Sequence, residues 1–326
     1  MLTRPLGPSG IEASAIGLGT WAIGGSRWGG TEESDAIAAI HTALDGGVTL
    51  IDTAPLYGHG RSEEVVGKAI AGRRDEVVLA TKCGLVWWED RGEHAYDEGD
   101  KSIYVNLRPD SIRHELEQSL KRLGTEVIDL YQTHAQESTT PIEDTMATLL
   151  ALKDEGKIRA IGTSNIEPAQ LVAYMDQGPV ASTQEQFSMI DREIEATLLP
   201  LCREHHVAVL AYSPMAMGLL SGKMGPERVF PPDDHRHENA RFSAANRQRV
   251  AQMLEVMRPI ADVKGITMAQ LVLAWTFHQD GVTHVLAGAR TEAQAEANAA
   301  AGAVTLEPDE LALMNDTVAK RAPDIV

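Results

Sequence analysis

Eight short apolar runs, each followed by a stretch of helical periodicity, limit what this chain can form. The runs fall at 15–20, 48–52, 77–82, 127–134, 158–164, 182–187, 207–213 and 284–287. Helical stretches follow at 34–44, from Ser62, at 110–123, 142–155, from Pro168, at 193–205, 245–263 with 267–279, and 291–301, and a last one begins near Pro308. Strands that are apolar throughout are buried on both faces, and strands separated by helices pair in parallel. Eight such units close into a (β/α)8 TIM barrel, whereas an open doubly wound sheet needs only about five to seven strands. An N-terminal β-hairpin over 3–13, turning at Gly7-Pro8-Ser9-Gly10, precedes the first unit. The extra helices and two long loops, one of about 25 residues after the third strand and one after the seventh, belong at the C-terminal mouth. No linker or charge block divides the chain, so 1–326 reads as a single domain.

Charge narrows the partners. Against 29 basic residues stand 47 acidic ones, a net charge of −18. Such a surface repels phosphate backbones, which argues against nucleic acid and anionic membranes and leaves a small molecule as the partner. Cys83 and Cys202 have no paired spacing, and no apolar run approaches the length of a membrane span or a signal peptide's core. The chain reads as cytoplasmic, and nothing in it names an oligomeric state.

In a barrel the C-terminal strand ends converge, so residues remote in sequence meet there. Those ends carry Asp52 on the second strand, Lys82 on the third and His134 on the fourth, and Tyr57 lies on the second loop. Burying three ionisable groups is costly unless they pair, and Asp52 and Lys82 stand on adjacent strands. A Lys82 ammonium beside Tyr57 is expected to pull the phenol below its usual pKa and make it a proton donor near neutral pH. His134 is placed to orient a substrate oxygen. The set suits protonation of a carbonyl during reduction, or the reverse. Ser62-Glu63-Glu64 carries a helix-capping signature.

These residues sit in longer matches. Ile51-Asp52-Thr53-Ala54, Tyr57-Gly58, Ala80-Thr81-Lys82, the run from Asp129 to His134 and the run from Lys157 to Asn165 resemble the aldo-keto reductase superfamily. The likeness extends from Gly17-Leu18-Gly19-Thr20-Trp21 to Gly288-Ala289-Arg290. Thr20-Trp21-Ala22-Ile23-Gly24-Gly25 is similar to the bacterial branch of general-stress and inositol-cluster reductases. The resemblance implies Tyr57 as general acid, Lys82 tuning it, Asp52 pairing with Lys82 and contacting cofactor, and His134 orienting the carbonyl.

No Rossmann fingerprint is present, because Gly17-Leu18-Gly19 lacks its third glycine. The resemblance instead implies a dinucleotide stretched across the barrel mouth. Ser164, Asn165 and Gln184 would bind its carboxamide, and Tyr212 would stack on the nicotinamide. Ser213, Pro214, Met215 and Lys223 belong to the pyrophosphate loop, with Gly19, Thr20 and Trp21 approaching from the first loop. Gly288, Arg290, Gln294 and Asn298 match the adenosine-phosphate end. A bidentate Arg290 favours NADP(H) over NAD(H). The chain departs from relatives at Ala135-Gln136-Glu137, at Glu185-Gln186-Phe187 and at Ala297.

Aromatic residues on the long loops, Trp28, Trp87, Trp88 and Tyr104, together with Trp21, are candidates to line a carbonyl pocket. Asp233 to His237 reads as a solvated acidic loop with no metal, and Cys83 as a buried hydrophobe. The leading function is an NADP-dependent reductase of aldehydes or ketones, or an aldose dehydrogenase. A slow or non-catalytic cofactor-binding sensor or subunit is one alternative. A Schiff-base lyase using Lys82 is the other, and the Asp52 pairing disfavours it.

Overall fold

The computed structural model describes residues 1–25, 31–231, 234, 236, 237 and 239–325. Trp28, Asp233 and His235 therefore lie outside the described residues. The chain starts with an antiparallel hairpin, β1 (Thr3–Pro5) and β2 (Glu12–Ser14), joined by a 3-10 turn at Gly7–Ser9. The first barrel strand, β3 (Ile16–Gly19), leads to a short helix α1 (Trp21–Gly24) and then α2 (Glu33–Asp45). β4 (Leu50–Asp52), α3 (Arg61–Ile70) and β5 (Val78–Cys83) follow.

Between β5 and α4 (Pro109–Leu123) the expected long loop is instead a three-stranded antiparallel sheet. It consists of β6 (Leu85–Val86), β7 (Glu93–Glu98) and β8 (Lys101–Val105), with β8 in the middle. The strands were hard to see because β7 is polar on both faces and largely exposed, so its residues do not alternate.

The alternation then resumes through β9 (Ile128–Thr133), α5 (Ile142–Asp154), β10 (Ile158–Ser164), α6 (Pro168–Gln177) and β11 (Ser182–Gln186). The helix expected at 193–205 is split into a 3-10 turn at Glu193–Ala196 and α7 (Leu198–Glu204). Pro200 accounts for the break. In a continuous helix its ring would meet the carbonyl of Ala196, whereas in the first turn of α7 it is tolerated. β12 (Ala208–Tyr212), α8 (Ala244–Lys264), α9 (Met268–Phe277), β13 (His284–Gly288), α10 (Glu292–Ala301) and α11 (Pro308–Arg321) complete the chain.

β3, β4, β5, β9, β10, β11, β12 and β13 form a closed parallel barrel, with helices between them: the (β/α)8 TIM barrel. Successive residues of a strand point to opposite faces, and this rule sorts the core into two. Leu50, Ala80, Leu130, Ala160, Leu210 and Leu286 fill the barrel interior together with Leu6, Ile11 and Ala13 of the hairpin. The hairpin thus plugs the N-terminal end. Ile51, Leu79, Tyr131 and Ile161 face outward and pack in the large cluster that includes the helices. Two residues beyond three of the floor positions, on the same face, stand Asp52, Lys82 and Gln132. Among the described residues, no helix is long and apolar enough to cross a membrane.

Behind the wall lies a buried carboxyl. Both Glu115 oxygens accept the Gly84 N–H at 3.0 Å, and Ser111 donates to one of them at 3.4 Å. Burial pushes this carboxyl up to about 8. A folded-state value above the ordinary 4.5 means the neutral form stabilises the fold at low pH. That contribution is lost as pH rises through about 8. Glu115→Gln keeps the acceptor for Gly84 without the charge. We expect thermal unfolding at pH 5, 7 and 9 to show a flatter decline in the variant than in wild type. Parallel pH profiles would refute this.

Candidate active site

The mouth is built on strand register. Gly19 pairs with Asp52, Asp52 with Ala80, Lys82 with Gln132, Gln132 with Gly162, and Ser164 with Gln184. Lys82 is fully buried and Asp52 is 2% exposed. The Lys82 Nζ donates to Asp52 Oδ1 at 2.6 Å, to the Thr53 carbonyl at 3.0 Å and to the Tyr57 hydroxyl at 3.2 Å. An ammonium has three protons, and each has an acceptor here. On the other side of the carboxylate, Asp52 Oδ2 accepts from Gln132 Nε2 at 3.0 Å and Gln184 Nε2 at 2.8 Å.

The loop carrying Tyr57 is held by close backbone contact. A Cβ on Gly24 would lie 2.5 Å from the Tyr57 carbonyl carbon, and one on Gly58 would lie 2.1 Å from the Gly24 oxygen. Gly58 also has φ +65°, a region that favours glycine. The expected cap at Ser62 is not formed. α3 starts after Gly60 at φ +100°, with no side-chain cap. The Ser62 hydroxyl is instead buried, donating to Thr20 Oγ1 at 2.7 Å and lying 2.9 Å from Thr53 Oγ1. Glu63 is buried too, accepting from Thr81 Oγ1 and Arg122 Nε, both at 2.7 Å. The polar run that looks like a helix start therefore ties α3 to strand ends β4 and β5 and to α4.

The electrostatics correct one expectation. Tyr57 is raised above its usual value, not lowered, because burial outweighs the opposing pull of Lys82. For Lys82, burial works downward, but Asp52 and Tyr57 together leave it raised. A Lys that stays protonated is no imine-forming nucleophile. His134 is held well below the ordinary imidazole value by burial, with Lys82 adding to the effect, so it is neutral at pH 7. Its ring stands edge-on to Tyr57, with centroids 5.8 Å apart.

The other expected residues surround this core. Asn165, at φ +52°, donates from Nδ2 to the His134 carbonyl at 2.8 Å and accepts the Tyr212 hydroxyl at 2.8 Å. The Ser164 hydroxyl donates to the Gln184 carbonyl at 2.7 Å. Beyond Tyr212, the loop through Ser213, Pro214 and Met215 enters a 3-10 turn at Ala216–Ser221, and Ser213, Ala216 and Met217 all have positive φ. Lys223 is exposed past it. After the neighbouring strand β13, Gln294 Oε1 accepts the Arg290 N–H at 2.9 Å, and Asn298 Nδ2 donates to the Gly288 carbonyl at 3.1 Å. These residues precede or lie on the first two turns of α10.

The rim fits an extended dinucleotide in one further respect. Gly19 and Gly288 are register neighbours, and neither has positive φ. A Cβ on either would meet nothing nearer than 3.7 Å. Neither packing nor turn geometry requires glycine there, and its absence of side chain leaves the rim bare for a ligand. The anion-favouring N-terminus of α10 lies just beyond Gly288.

Of the aromatic candidates, Trp87 and Trp88 meet edge-on, with ring centroids 4.8 Å apart. Trp87 packs on the cluster of Leu56, Leu85, Ile103 and Val105 along with Ala135, and its ring meets His59 at 4.9 Å. Trp88 is exposed and meets His114 on α4 at 5.5 Å. Tyr104 sits on β8 opposite His94, and Trp21 is exposed at the start of α1. Asp234 is paired with Arg236 at 2.6 Å. Cys83 and Cys202 are buried, and burial raises both thiols. Sequence reading missed Gln132. The available signal was a lone amide following Ile128 and Leu130 at period two along β9.

Comparison with known proteins gives the family. Residues 15–319 match the Aldo/keto reductase family. The chain is 41% identical over 320 residues to the NADH-specific methylglyoxal reductase of Escherichia coli, covering 96% of this chain and 97% of that one. It is 41% identical over 292 residues to the aldo-keto reductase YhdN of Bacillus subtilis, covering 89% and 85%. Among solved structures, the glycerol dehydrogenase AKR11B4 from Gluconobacter oxydans superposes with a TM-score of 0.89 at 36% identity, over 99% of this chain and 97% of that one. The barrel fold, the family match and these relatives agree: the chain belongs to the aldo-keto reductase family.

Proposed function

We propose that the protein, with residues 1–326 acting as one barrel unit, transfers hydride between NADP(H) and a small aldehyde, ketone or aldose. The carrying observation is the Lys82 ammonium bridging Asp52 and the Tyr57 hydroxyl at 2.6 and 3.2 Å. In this reading Tyr57 is the general acid in reduction and the general base in oxidation. Its raised pKa keeps it protonated at neutral pH, and the Lys82 ammonium stabilises the phenolate left when the proton passes to the carbonyl oxygen. Neutral His134 donates a hydrogen bond that orients the carbonyl.

The reduced nicotinamide, when bound, supplies the hydride. Ser164, Asn165 and Gln184 would hold its carboxamide, with Tyr212 against the ring. Gly19, Thr20, Trp21, Ser213, Pro214, Met215 and Lys223 would follow its pyrophosphate, and Gly288, Arg290, Gln294 and Asn298 its adenosine end. Trp21 and Trp87 would face substrate. Two buried free cysteines fit a reducing compartment, the cytoplasm.

Arg290 supports the choice of NADP(H), whereas the name of the Escherichia coli relative favours NADH as the second reading. That name also makes methylglyoxal a sensible first substrate. The test is reduction of methylglyoxal and an activated aromatic aldehyde with each cofactor, in wild type and Arg290→Ala. We expect NADPH to be preferred, and its KM to rise about tenfold or more in the variant while that for NADH barely moves. A wild type that consumes NADH alone overturns the NADP assignment. Absence of turnover with either cofactor across a broad carbonyl panel overturns the oxidoreductase reading.

A further inference from the structure

Gln132 is fully buried on the inward face of β9, above Leu130 and beside Lys82. Its Nε2 donates to Asp52 Oδ2 at 3.0 Å, and its Oε1 accepts from Gln184 Nε2 at 3.3 Å. The neighbouring strand leaves room for this side chain: a Cβ on Gly162 would come within 2.9 Å of Gln132 Cγ. Asp52 thus shows two different faces. Oδ1 receives the Lys82 ammonium, and Oδ2 receives two amides.

We propose that Gln132 is a positioning residue for proton transfer: it fixes the Asp52 carboxylate with Oδ1 toward Lys82 and draws negative charge onto Oδ2, away from Tyr57. The inference rests on Tyr57 being the acid. Hydrogen bonds to an ionised acceptor are among the stronger ones, and each spreads the charge of that acceptor. The groups facing Tyr57 are Lys82 from β5, Asp52 from β4, His134 after β9 and Tyr212 at the end of β12. Lys82 pulls the phenol down and Asp52 pushes it up. Taking the Gln132 donor away leaves Asp52 with a fuller charge and a looser rotamer. Both changes make Tyr57 a weaker acid, and a weaker acid gives up its proton more slowly.

The experiment compares wild type, Gln132→Met, Gln132→Glu and Tyr57→Phe. The Met side chain keeps the length without the donor. The Glu side chain keeps length and polarity and adds a like charge beside Asp52. Each protein is checked by thermal unfolding and NADPH binding. Carbonyl reduction is then followed against pH, and the phenolate absorbance of the resting protein is titrated, with Tyr57→Phe as the blank.

For Gln132→Met we expect kcat to fall about three- to tenfold, KM to change less than about twofold, and the alkaline break to move up by about half a unit or more. Gln132→Glu should move the break further, and it carries the test if the Met variant does not fold. If both variants keep the wild-type kcat and break while Tyr57→Phe is inactive, this inference alone is overturned and Gln132 only fills space. Turnover surviving in Tyr57→Phe overturns the reading of Tyr57 and this inference with it.

Discussion

Tyr57→Phe is expected to lower carbonyl reduction by about 10²- to 10⁴-fold, the range typical of a lost general acid, while cofactor binding stays as in wild type. The substitution removes one oxygen and leaves the ring where its loop holds it, against Gly24 and edge-on to His134. The Lys82 ammonium loses its 3.2 Å partner but keeps Asp52 and the Thr53 carbonyl, so the fold is spared.

The wild-type pH profile follows from the same geometry. Tyr57 is raised above 10, so its proton is present through neutral pH and is lost only as pH climbs through that raised value. His134 is held well below 6.5 and becomes charged only on the acid side. Reduction should therefore run on a plateau through neutral pH and fall on the alkaline side, and alcohol oxidation, which needs the phenolate, should rise with pH. Stopped-flow or steady-state NADPH consumption in wild type and variant tests both points. A Tyr57→Phe enzyme with more than about a tenth of wild-type kcat would refute the proton-donor role.

Lys82→Met should cost more in stability than any other single change at the mouth, about 3–5 kcal/mol in urea unfolding. Lys82 is fully buried and the Asp52 side chain is 3% exposed. Removing the ammonium leaves a carboxylate that has no counter-ion and little water, although Gln132 and Gln184 still donate to it. Breaking a buried pair from one side is costly because of the charge left behind, not because the pair itself was worth that much. The double variant Asp52→Asn with Lys82→Met should then recover a large part of the loss, since no lone charge remains. If the double variant is as unstable as the sum of the singles, the penalty has another origin. Activity should be lost in both.

Fold and site differ in how far they were readable. The parallel barrel was legible because each strand is a short apolar run and each connection a helix-length stretch, a pattern that depends on neighbours in sequence. The 85–105 sheet was not. Its β7 is polar on both faces and largely exposed, and its cross-strand side-chain partners, Tyr104 for His94 and Ser102 for Asp97, leave no alternation of apolar and polar residues to read. Ser62 and Glu63 misled for a related reason. Their residue types suit a helix cap, but their partners are Thr20, Thr53, Thr81 and Arg122, on other elements.

Period-two geometry is local, so the order of residues alone determined that Asp52 and Lys82 face inward at the top of adjacent strands, with Tyr57 close by. Tertiary structure decided the balance among them. Whether Tyr57 lies above or below its usual pKa depends on how much water the assembled mouth excludes, and here burial outweighs the nearby Lys82. Asp52 receives Gln132 from 80 residues away and Gln184 from 132 away, so its charge is shared with groups that only barrel closure brings together. Trp87 and Trp88 are adjacent in sequence and meet edge-on, yet one packs on Leu56, Leu85, Ile103 and Val105 and the other reaches His114 on α4. Side-chain direction and desolvation are sums over everything folded around a residue, and no stretch of sequence contains that sum.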